Sequence, residues 1–224
     1  GGTMTAISKN VLFRAASCLP AFRSREVNSL ETDKKIAAVV SQYRRKGPRL
    51  DWSYKGFQNL LGQAYKIGSE KEVKETISSS KYEEEKTAKS VIAAKIFGNL
   101  PPNEWELIDL RAETKTIGDG IEFFPPFDLA LRQGNRIACV IFCPHSNIAL
   151  YDVQRDFIVQ LLSLPLSGYS ETFELHYFEF PKDALGKRAP RYVTRDFQYA
   201  DTSEIEAHLV KFQKQNSVDE PRLF

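Results

Sequence analysis

Hydrophobic residues recur at helical spacing through the first hundred positions, and in alternating or continuous runs through the next hundred. Between Glu31 and Gly47, Ile36, Val39, Val40 and Tyr43 fall on one helical face. Acids open this segment and Arg44, Arg45 and Lys46 close it, in line with the helix dipole. "DWSYKGFQNLLGQAYKIG" predicts a second helix, weakened by Gly56 and Gly62. A third pattern from Ser69 to Leu100 is polar in its middle, with an expected break near Ser78–Ser80. Its end carries Val91, Ile92, Ile96 and Phe97 and closes at Gly98.

After "PPN" the period shortens. "EWELIDLRAE" alternates as a strand does, and "FDLALRQ" and "RIACVIFC" flank a short turn containing Gly134 and Asn135, a hairpin signal. "SNIALYDVQRDFIVQLLSLPL" returns to helical spacing, with Phe157, Ile158, Leu161 and Leu162 on one face. "TFELHYFEFP" and "RYVTRDFQYA" predict strands, and "DTSEIEAHLVKFQKQ" a capped helix. The hairpin implies antiparallel pairing, and the helix crossing from one strand to the next implies a parallel neighbour. The expected fold class is therefore α/β (α+β), a mixed sheet flanked by helices. Four segments follow: a basic N-terminal arm or candidate targeting segment over 1–30, a helical region over 31–100, an α/β domain over 101–216 and a tail over 217–224.

Composition alters this picture in one respect. The net charge of +2 hides an asymmetry, because residues 1–67 carry 12 Lys/Arg against 4 Asp/Glu, a net of +8. The remainder, at −6, is mildly acidic. A basic segment on such a body suits an anionic partner, nucleic acid above all, or a targeting role. Gly1-Gly2-Thr3 before Met4 reads as an expression remnant, and the following stretch has no acid until Glu26. Arg, Ser and an apolar face of Ile7, Val11, Leu12 and Ala15 give it the composition of a mitochondrial transit peptide, or of an ordinary basic helix. Localisation is expected to be intracellular, with a mitochondrial address as the finer reading. No apolar run is long enough to predict a membrane span. Cys18, Cys139 and Cys143 lack CxxC spacing, so neither a metal site nor a disulfide framework is expected.

The element order and the stretch "PPFDLALRQGNRIACVIFCPH" resemble the PD-(D/E)XK nuclease superfamily over about residues 84–181. That resemblance implies a restriction-endonuclease-like αβββαβ core with a helical N-terminal extension. Pro126 and Asp128 stand where the family has Pro-Asp, with Phe127 inserted. Counting across the hairpin, the family's acid and lysine fall at Ile141 and Cys143, or at Phe142 and Pro144. "VIFCPHS" and "FELHYFEFPKDAL" resemble the RAP domain, a nuclease-like RNA-associated module of organelle proteins, without that loop's usual acid and Gly-Pro order.

Metal-assisted phosphodiester cleavage needs at least two carboxylate oxygens on Mg²⁺ and usually a lysine beside the water. The expectation is thus a catalytically inactive module that binds nucleic acid, RNA first, or a nucleic acid–protein complex, without a cofactor. The alternatives are an assembly factor that binds only protein, and a Mg²⁺-dependent nuclease whose displaced site uses Asp128, Glu122 and His145, with Glu174 and His176 on the following strand as neighbours. Candidate nucleic-acid contacts are Arg44, Arg45, Lys46 and Arg49 with Trp52 to stack on bases, and Lys187, Arg188, Arg191 and Arg195.

Overall fold

The computed structural model describes residues 5–6, 8–19, 30–44, 53–110, 115–117, 121–123, 126–163, 172–196 and 203–217. The helices are α1 (Lys9–Ser17), α2 (Leu30–Arg44), α3 (Phe57–Ile67), α4 (Lys71–Ser78), α5 (Glu83–Asn99), α6 (Asp152–Ser163) and α7 (Ser203–Ser217). The strands are β1 (Thr5–Ala6), β2 (Glu106–Leu107), β3 (Lys115–Ile117), β4 (Ile121–Phe123), β5 (Leu129–Gln133), β6 (Arg136–Cys143), β7 (Thr172–Glu179) and β8 (Arg191–Asp196). The long helical pattern does break where the serines cluster. Ser78 and Ser79 hydroxyls donate to the carbonyls of Glu75 and Thr76, and the Ser80 amide donates to Ile77. Side chains that bond backbone in this way end α4 and let α5 start afresh.

The main sheet runs β2-β5-β6-β7-β8, antiparallel except for the parallel β6–β7 pair that α6 connects. A parallel pair requires such a crossover. The β5–β6 turn is held by Gly134 at φ 59°, while Asn135 keeps negative φ, the pattern of a type II′ hairpin. Strand β6 is apolar and buried from Ile137 to Cys143, with both faces covered. Ala138, Val140 and Phe142 join a core built with α3, α4 and α5, and Ile141 and Cys143 join one built with α1, α6 and α7. The molecule is thus a mixed sheet between two helical layers, as the patterning predicts.

Three local expectations change. Of the strand expected over 104–113, the described residues 104–110 form only the two-residue β2, which pairs with Leu131 and Arg132, and the Ile108 amide adds one bond to Ala130. Residues 115–117 and 121–123, in a stretch for which the patterning predicts no element, pair as antiparallel strands, and β1 adds to β4 in parallel to give a separate three-stranded sheet. Finally, residues 8–19 of the basic N-terminal arm, which include α1, join the core. Ser8 caps α1 by accepting from the Val11 amide, and Leu12, Phe13, Ala15, Ala16, Cys18 and Leu19 are completely buried. Packing against α6 and α7 completes the apolar face that the helical spacing announces.

Candidate functional site

Asp128 immediately precedes β5, and its backbone amide donates to the Val140 carbonyl at 2.8 Å, which fixes it across from Ile141. Its Oδ2 accepts the Phe142 amide at 2.8 Å and its Oδ1 meets Lys9 Nζ at 2.7 Å. Lys9, the first residue of α1, also places its ammonium 4.1 Å from the centroid of the Phe142 ring, a cation–π contact. Burial pushes the Asp128 carboxyl above the usual carboxylate range, against the pull of Lys9 and the Phe142 amide.

Lys9 and Asp128 line a cleft of about 550 Å³ outside the carboxyl end of β6. Ligands of open α/β sheets gather at such strand ends. Asn10, Tyr54, Lys55, Phe127, Pro144 and His145 are among the other residues that line it. His145 Nε2 bonds to Asn10 Oδ1 at 2.8 Å, and burial together with Lys9, Arg14 and Arg188 lowers its pKa to about 4. The imidazole is therefore neutral at pH 7. Arg188 ties the surrounding loops together, donating to the carbonyls of Pro144 and Phe180 at 2.7 and 3.1 Å and to the Tyr54 hydroxyl at 2.9 Å.

The structure brings Asp128 and His145 to one cleft but not Glu122. Glu122 lies on β4, between Ala6 of β1 and Thr116 of β3, and does not line the cleft. Glu174 and His176 line a different cleft farther along the sheet. Glu179, at the end of β7, is fully buried. It accepts from the Tyr177 hydroxyl and the Leu150 amide, and faces the guanidinium groups of Arg191 and Arg155 at 3.3 and 3.5 Å. The family's acid and lysine positions, Ile141 to Pro144, hold neither group. Both Asp128 oxygens are engaged, one by a cation that would repel Mg²⁺, and among the described residues no three His, Cys, Asp or Glu side chains converge on a metal-sized site. Around Asp128 the described residues do not fit a nuclease metal.

Of the basic candidates, Arg45, Lys46, Arg49 and Trp52 lie outside the described residues, as do the side chains of Arg44 and Arg195. Lys187 is exposed on the turn after β7, whereas Arg188 and Arg191 are engaged in the bonds above. Sequence reasoning passed over Lys9 and Lys55. Lys9 lies 119 residues from its partner, and no local pattern marks a contact of that range.

The histidines give the fold a pH dependence. The pKa values of His145, His176 and His208 all fall below 6.5, in each case chiefly through burial, so the unfolded chain binds protons that the folded one refuses. Their contribution is complete above about pH 6.5 and is lost as pH falls below it, toward about 4 for His145. Asp128, with its raised pKa, acts in the opposite sense, so a net decline means that the three histidines outweigh it. Urea midpoints taken from pH 7.5 to 5 should decline. A midpoint that stays level or rises on acidification contradicts this assignment.

No protein-family model, curated protein or solved structure matches the chain.

Proposed function

We propose that the chain is a nuclease-like module without phosphodiesterase chemistry that binds nucleic acid, RNA in the first instance, through the cleft at the carboxyl end of β6. One observation carries the reading: Lys9 closes on Asp128, so the acid that corresponds to the nuclease motif serves an internal ion pair. What faces outward is cationic and aromatic. Lys55, Lys182 and Lys187 are exposed around the cleft and on the adjoining turn, and Tyr54, Phe127 and His145 offer ring surfaces to bases. Lysines along a phosphate path with aromatic platforms between them suit single strands. The core order α5, β2, β5, β6, α6, β7 supports the resemblance to the nuclease superfamily, with β3 and β4 as an insertion.

Fluorescence anisotropy with single-stranded RNA and DNA oligonucleotides over 50–300 mM salt tests the reading. Affinity should fall steeply with salt. The double change Lys55→Glu, Lys187→Glu should weaken binding by more than about tenfold and flatten the salt slope by about 1.4, roughly 0.7 for each phosphate no longer neutralised. Affinity indifferent to salt and to these changes refutes it. Incubation with Mg²⁺ or Mn²⁺ and mixed nucleic acids should give no cleavage. Cleavage that disappears in Asp128→Ala establishes the displaced nuclease instead. Retention of one protein partner without nucleic acid establishes the assembly role, for which Leu185, 83% exposed at the tip of the turn after β7, is an available apolar anchor.

A further inference from the structure

At the other end of the main sheet a second cleft, about 460 Å³, opens on the face covered by α5. Glu174 and His176 project from β7 on the same side as Phe178, and Tyr192 joins them from β8, its ring stacked on Phe178 at 4.6 Å. The bonds among them fix where the protons sit. Glu174 receives two parallel bonds from Arg136, Nε to Oε1 at 2.8 Å and Nη2 to Oε2 at 2.9 Å. An ionised carboxylate only accepts, so the 3.1 Å contact between Glu174 Oε2 and His176 Nε2 makes that nitrogen the N–H. Nδ1 is then the acceptor, and the Tyr192 hydroxyl, 2.8 Å away, donates to it. Arg136 is itself held over the face of Trp105 at 5.4 Å, and Trp105 packs edge-on to His176. A hydroxyl bonded to a base, and that base bonded to an orienting carboxylate, is the arrangement of an activated nucleophile.

We propose that Tyr192 is a nucleophile toward activated acyl compounds, with His176 as its general base and Glu174 and Arg136 as positioning residues. Tyr192 Oη attacks the acyl carbon while its proton passes to His176 Nδ1. The leaving group departs with the bonding electrons and takes that proton, giving a tyrosyl ester. Water, deprotonated by the same imidazole, then cleaves the ester and returns the proton to Tyr192, so that the sum is aryl ester or thioester plus water to acid plus phenol or thiol. A tyrosyl ester is an aryl ester, which limits the donors to those whose leaving group is about as acidic as a phenol: aryl esters and thioesters. The polar residues bias the choice further. Glu104 and Glu174 line the cleft, and Arg136 is already bonded to Glu174 and Gln133, so neutral or cationic donors are favoured over anionic ones. This site is independent of the nucleic-acid reading.

Exposure of the full chain to p-nitrophenyl acetate, followed by peptide mass mapping, tests it with an internal standard. Tyr151 is 52% exposed, more accessible than Tyr192. Tyr192 should nonetheless be acetylated at least about tenfold faster, a fraction of what general-base assistance supplies. The rate should rise with pH through a transition below 6.5, since burial lowers the pKa of His176. His176→Gln should bring Tyr192 down to the Tyr151 rate, and Glu174→Gln should lower its rate and displace the pH transition. Equal labelling of the two tyrosines in the unaltered protein, or preferential labelling of Tyr192 that persists in folded His176→Gln, overturns the proposal.

Discussion

Replacement of Lys9 by methionine should cost the fold about 2–4 kcal/mol. Only 7% of the Asp128 side chain is exposed and only 22% of that of Lys9, so the change leaves a carboxylate in a pocket where the Phe142 amide is its remaining partner among the described residues. A fully buried pair would cost more, because water reaches part of the lysine. The loss reads directly as a lower denaturant midpoint. It should shrink when Asp128→Asn is introduced alongside, since the stranded charge is then gone, and it should shrink at acid pH as the carboxyl protonates. A cost below about 1 kcal/mol, typical of surface pairs, would mean that the ion pair does not organise the cleft.

Removal of residues 1–19 should abolish cooperative folding. The fully buried Leu12, Phe13 and Leu19 alone are worth about 5–9 kcal/mol of apolar burial, comparable with the whole stability of a typical domain. Their departure would also uncover Ile141, Tyr177, Phe157 and Leu209, the opposite side of the same core. The expected result is a broad, weak thermal transition and binding of hydrophobic dyes in place of a sharp melt. A truncated chain that melts like the full one contradicts the structure. The consequence for targeting is concrete. If the protein enters an organelle, α1 has to survive the passage, because the core is built on it.

How far the sequence foretold this molecule depended on the range of the interaction. The β5–β6 hairpin was legible because its turn, its alternation and its register all sit within about fifteen residues. Helix α6 and strands β7 and β8 were legible for the same reason, as was the break between α4 and α5. The small β1-β4-β3 sheet was not, because its strands are two and three residues long and too short to display a period. Nor was the role of α1. Its apolar face was visible in the spacing of Val11, Leu12 and Ala15, but an amphipathic helix reads alike whether it covers a core or addresses a membrane. The candidate site was half legible. Asp128 and the apolar stretch opposite it followed from counting across the hairpin, whereas Lys9 and the linked Tyr192, His176, Glu174 and Arg136 arise only when distant strands and helices meet.

The meeting of the first and last helices carries a cost in time. His208 Nε2 on α7 donates to the Ala15 carbonyl on α1 across 193 positions of sequence. At about 5–20 residues per second a ribosome needs roughly 10–40 s to cover that interval. Throughout it, α1 is without α7, one of the two helices that pack against it. Pairing β6 with β7 shortens the wait for one side of α1, but its α7 side closes only once α7 has been made. The nascent chain therefore spends most of that interval as a client for whatever shields apolar segments in the cell, and its yield should depend on translation speed more than its final stability does.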